Sequence, residues 1–149
     1  MSFRLATLLK LRIDDRDHRR RELAQALEAQ RILEEQIAAL EAERTAMQTL
    51  IGERVRPGST DVDALLQINR YQIQLIGQRR TLDTQVAQIV AESERRRQVL
   101  VEADRQVRVL EKLREKQAEA ATEAALRQEI KDFDEASLVA FRQRQEATR

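Results

Sequence analysis

The one imidazole in the chain, His18, lies in the run Arg16-Asp17-His18-Arg19-Arg20-Arg21, close to the carboxylate pair Asp14-Asp15. An imidazole near carboxylates is the minimum from which acid–base or metal chemistry is built. Here the ring is flanked by guanidinium groups, no second nitrogen ligand clusters with it, and the carboxylates fall on open helix faces with no burial to shape an acid–base site. A solvated surface imidazole is the expected state. The chain contains no Cys, which excludes thiol nucleophiles, thiolate metal sites and disulfides and suits a reducing cytoplasm. It has no Gly-rich phosphate loop, no HExxH and no GxSxG. No catalytic residue, cofactor or metal ligand is therefore expected.

The remaining chemistry is recognition by charge. Arg19, Arg20 and Arg21 form one cationic run and Arg95, Arg96 and Arg97 another. A guanidinium presents a planar donor fork that fits carboxylate, so the six could form a docking patch for an acidic surface. The plainer reading is a solvated surface in which Asp14, Asp15, Asp17, Glu22, Glu92, Glu94, Glu102 and Asp104 neutralise them. Net charge is +1, from 27 Lys and Arg against 26 Asp and Glu, so no global field favours nucleic acid.

Two long helices are required to hold these groups. An apolar seam at alternating steps of four and three runs Leu5, Leu9, Arg12, Arg16, Arg19, Leu23, Ala26, Gln30, Leu33, Ile37, Leu40, Arg44, Met47, Ile51. A second runs Ile68, Gln72, Leu75, Arg79, Leu82, Val86, Ile89, Ser93, Arg96, Leu100, Ala103, Val107, Leu110. Between them lies the only Pro-Gly pair, Pro57-Gly58. A heptad stripe, a turn and a second stripe describe an all-α antiparallel coiled-coil hairpin. Charged residues make up 36% and aromatics 3%; a two-helix seam needs few large apolar side chains, whereas a compact core needs many. The three Gly and single Pro leave almost no turn material for strands.

One domain is expected over residues 1–149, with helix one at about 3–54, a turn at about 55–60 and helix two at about 61–145. Ser59, Thr60 or Asp61 can cap the second helix. Folding at 57–58 sets a register in which facing numbers add to about 115, so that both apolar blocks and both weak stretches coincide. The arginine level is then the weakest part of the hairpin. Beyond about Arg114 helix two has no mate. Its apolar phase breaks across Ala118–Ala125 and restarts as Leu126, Ile130, Phe133, then Phe141, a face that either frays or docks a partner. Nothing approaches the roughly 18 apolar residues of a membrane span, and the opening MSFRLATLLKLRIDD is interrupted by Arg4, Lys10 and Arg12, so a soluble, unprocessed chain is expected. The opening Phe3, Leu5, Leu8, Leu9, Leu11 and Ile13 is richer in apolar residues than a seam needs: fuller burial against Leu110 and Leu113, or a second face for a partner. Tyr71 and Leu75, four apart near the turn, read most simply as local packing.

Three blocks taken together, FRLATLLKLR at 3–12, LEKLREKQ at 110–117 and EIKDFDEAS at 129–137, resemble the flagellar FliJ family, with injectisome stalk proteins the nearest related group. The resemblance implies an antiparallel coiled-coil hairpin, similar to the shaft of a rotary ATP synthase. It implies a cytoplasmic, non-catalytic stalk of the flagellar type III export apparatus, associated peripherally with the inner membrane. The implied partners are the hexameric export ATPase, the export-gate membrane protein FlhA and export chaperones, with no nucleic acid and a monomeric chain on its own. Carried onto this sequence, the ATPase-facing end comprises Phe3, Arg4, Leu8, Lys10, Arg12, Glu111, Lys112, Arg114 and Lys116. The gate contact, an aromatic and a leucine four apart early in helix two, falls on Tyr71 and Leu75. The competing class is a self-associating coiled-coil scaffold or membrane-surface tether.

Overall fold

The computed structural model describes residues 3–55, 58 and 61–147. Within them the chain is two helices, α1 (Ala6–Arg54) and α2 (Val62–Ala147), and no strand. They pack against each other as an antiparallel hairpin, so the all-α expectation holds. Each is long because its interior offers no stop: neither contains Pro, and Gly52 and Gly77 are the only glycines. The intervening positions are dominated by Ala, Leu, Gln, Glu and Arg, the strongest helix formers. Surface pairs three and four apart reinforce them, as where Arg31 bridges Glu28 and Glu35.

At the turn, Gly58 adopts φ 95°, a left-handed conformation that L side chains rarely take. Of the three cap candidates, Asp61 fills the role: its Oδ1 accepts the Ala64 amide at 3.1 Å, the bond an N-cap oxygen makes to the third helical residue. Pro57, Ser59 and Thr60 lie outside the described residues.

Two compact units emerge, one joining Met1–Arg16 to Ala103–Arg149 and the other spanning Asp17–Glu102. In the first, Leu9, Val107 and Leu110 form the buried cluster, with Phe3 and Ile13 packed on it. Arg16 reaches Asp104 at 3.9 Å. Phe3 shares a groove with Arg114, Gln117, Ala118 and Ala121, so the start of the chain lies over α2 somewhat past Arg114. From Lys112 to Ala147 every residue is exposed.

In the second unit every position of the α2 seam from Ile68 to Leu100 is buried or half-buried. The α1 seam is covered too, except at Arg44. Across the seam Tyr71 bonds Glu43, Arg79 bonds Glu41, and Arg96 bonds the carbonyl of Glu22. These pairs add to about 114–120 rather than holding at 115, a drift of up to about one turn. Long arginines reach diagonally, and the side chains rather than the turn fix the final alignment. Two seam expectations in the first unit fail for the same reason: Leu5 and Arg12 are exposed, while Ile13 takes up the inward position.

Candidate functional site

Among the described residues no group of three potential metal ligands occurs, and the grooves along the helices are shallow. His18 lies half out in solvent, 3.4 Å from Glu22. The candidate surfaces are therefore faces and ends.

The terminal end is assembled around the Leu9–Val107–Leu110 cluster. That cluster fixes which side chains are left over. Leu9 points inward, so Leu8 and Leu11, which lie at other angles of α1, remain exposed, as does Leu5 just ahead of the helix; the three are 38–60% exposed. Leu5 and Phe3 share a groove with Arg4, Leu113 and Gln117, so the two ends of the hairpin present one apolar strip. Arg4, Lys10, Arg12, Lys112, Arg114 and Lys116 are all exposed around it, and Glu111 is half-buried. Among the described residues none of these six cations enters an ion pair. The arrangement offers an apolar strip with exposed positive charge on the neighbouring turns of both helices.

The arginine level is organised differently. Arg95 grips Glu92 with two bonds, at 2.9 and 2.7 Å, and Arg96 adds a third at 2.7 Å. Hydrogen bonds from Arg95 and then Arg96 push the Glu92 carboxyl down to about 2. Arg96 also donates to the backbone carbonyl of Glu22 at 2.6 Å, tying α2 to α1. Arg19 donates to Glu22 at 3.1 Å, which lowers that carboxyl's pKa. Arg97 pairs with Glu94 and Arg20 with Asp17. Of the acids foreseen as neutralising the patch, Asp17, Glu22, Glu92 and Glu94 pair with its arginines, whereas Asp104 pairs with Arg16 and Arg108. Seam packing persists here through small residues: Ala26 is 2% and Ser93 4% exposed, and the Ser93 hydroxyl has no hydrogen-bond partner among the described residues.

Near the turn, Tyr71 and Leu75 part company. Leu75 is 3% exposed, a core position with no surface to offer. Tyr71 is exposed and donates through its hydroxyl to Glu43 Oε2 at 3.0 Å, which raises its pKa. The correction follows from helical phase, since Leu75 belongs to the seam itself. The surface also carries a second apolar stripe, out of phase with the seam: Val62, Leu66, Ile73 and Ile76, all exposed along one side of α2. Gly77 borders it, with open space where a Cβ would stand. The signal was present in the sequence as apolar residues spaced four, seven and three apart, out of phase with the seam.

At the far end of α2, Leu126, Ile130, Phe133 and Phe141 are 54–73% exposed. Nothing in the described chain covers them. No helix among the described residues is long and apolar enough to cross a membrane. Comparison with curated proteins and with solved structures found no match. The family model described as flagellar FliJ protein matches residues 1–146, nearly the whole chain and all three blocks that carried the resemblance. This chain therefore belongs to the FliJ family, and its role lies in flagellar protein export.

Proposed function

We propose that the chain is a non-catalytic stalk of the flagellar export apparatus, cytoplasmic and peripherally held at the inner membrane. It engages the hexameric export ATPase through the terminal end and links it to the export gate FlhA and to export chaperones. The observation that carries this reading is the end itself: exposed Leu5, Leu8 and Leu113 on the same turns as six exposed cations with no ion-pair partner among the described residues. Such a surface fits an acidic rim with apolar contacts at its centre, where complementary charge governs encounter and register. The stalk needs no catalytic group to act on a ring; it needs a stiff pair of helices and a recognisable end.

For the gate, burial of Leu75 moves the candidate contact from the Tyr71–Leu75 pair to the exposed side of α2, with Ile73 and Ile76 as apolar anchors. Chaperones are assigned to the surface left exposed beyond Lys112.

The test is ATPase stimulation by the purified chain carrying Arg12→Glu with Arg114→Glu. Stimulation should fall about tenfold or more, since charge reversal at a docking rim acts mainly on association, while helicity and melting temperature stay as in the wild type. Full stimulation by the variant would place the docking surface elsewhere.

A further inference from the structure

We propose that the exposed stripe of the last turns of α2 pairs with a second copy of this chain, the two helices running antiparallel about an axis between residues 131 and 132. Leu126, Ile130, Phe133, Ser137 and Ala140 recur at steps of four and three, and Leu126, Ile130 and Phe133 are all more than half exposed. A lone amphipathic helix of this length gains most of its stability from a mate.

Charge selects both the occupant and its direction. In the antiparallel arrangement Ile130 of each copy faces Phe133 of the other, and Leu126 faces Ser137. The positions flanking the seam then set Arg127 of each copy beside Asp134 of the other. The next layer sets Glu123 against Ala140, and in the one beyond it Arg144 meets Glu119. By two-fold symmetry each attraction occurs twice. A parallel pair of the same stripes does the reverse: Glu123 would face Glu123, Arg144 would face Arg144, and Glu129 would flank Asp134. Like charges at those places are unfavourable. Arg127 already bonds Glu123 of its own helix at 3.2 Å, but that pair is highly exposed, with side chains 76% and 68% accessible. It is a weak tie, and a guanidinium has further donors for Asp134. The seam is short, so the pairing is reversible, and it shields Phe133 while the tail has no other occupant. It is independent of docking through the terminal end.

The experiment is sedimentation equilibrium of the full chain from micromolar to several hundred micromolar, with far-ultraviolet circular dichroism as a folding check. A reversible monomer–dimer equilibrium is expected. Phe133→Glu should abolish it without loss of helicity, because the side chain is on the surface in the monomer. Arg127→Glu should weaken the dimer about tenfold, replacing two attractions with two repulsions. Combining Arg127→Glu with Asp134→Arg should restore it. A chain that stays monomeric throughout overturns the proposal. So does a dimer indifferent to Phe133→Glu, or a charge-swapped double variant no tighter than the single one.

Discussion

At the arginine level, Asp17, Glu22, Glu92 and Glu94 hold five of six guanidinium groups in ion pairs. At the terminal end, six cations at positions 4, 10, 12, 112, 114 and 116 stand exposed with no such pair among the described residues. The two regions look alike in composition, each a dense basic cluster beside an apolar seam. They differ in what the local acids can reach. At the arginine level a carboxylate sits three or four residues from nearly every arginine, the spacing that brings side chains together on a helix. The seam beneath is thin, so cross-helix bonds such as Arg96 to the Glu22 carbonyl substitute for apolar area. At the terminal end the seam is well packed, the cations are not recruited to stabilise it, and they remain available to a partner.

The contrast makes its strongest claim about where stability resides. Leu9→Ala removes a buried leucine from against the fully buried Val107, and should cost about 3 kcal/mol. Leu23→Ala, at a half-buried seam position of the arginine level, should cost about half that. Urea denaturation of the two variants checks the ranking. Equal losses would mean that the terminal cluster is no better packed than the thin middle.

A smaller effect should separate the two kinds of arginine. Arg96→Ala deletes a charged hydrogen bond to a backbone carbonyl on the other helix and leaves that acceptor without it; about 1–2 kcal/mol should be lost. Arg12→Ala at the terminal end should change stability by less than about 0.5 kcal/mol, as surface substitutions generally do. If both variants melt with the wild type, the cross-helix bond contributes nothing and the arginine level is merely decorated with charge.

Much of this contrast was readable in the sequence, and the unread part has definable causes. The hairpin followed from two seams and one Pro-Gly pair, because folding at the pair sets apolar block against apolar block and weak stretch against weak stretch. The neutralising acids at the arginine level were also foreseen, since pairs within one helix depend on spacing alone. Pairs between helices were not. Whether Arg79 meets Glu41 depends on the register to within a turn, and the pattern fixes that only loosely. The same uncertainty hid the inward turn of Ile13 in place of Arg12, whereas the burial of Leu75 was already implied by its place in the seam. The exposed stripe of Val62, Leu66, Ile73 and Ile76 lies out of phase with the seam, so the heptad pattern gives it no place.

The smallest expected effect concerns acid. Hydrogen bonds from Arg95 and Arg96 hold the Glu92 carboxyl near 2 in the folded chain, below the ordinary glutamate value of about 4.3 that it regains on unfolding. A carboxyl with a depressed folded pKa contributes stability that is fully present above the ordinary value. That contribution is lost as pH falls toward the folded one. The melting temperature of the wild type should therefore exceed that of Glu92→Gln at pH 6, and the gap should close between about pH 4.5 and 2. Added salt should narrow the gap at pH 6, because these groups face solvent and are screened. A pH-independent gap for Glu92→Gln would mean that its arginines recognise the side chain by shape and not by charge. The arginine level would then be no more an electrostatic clasp than the terminal end is.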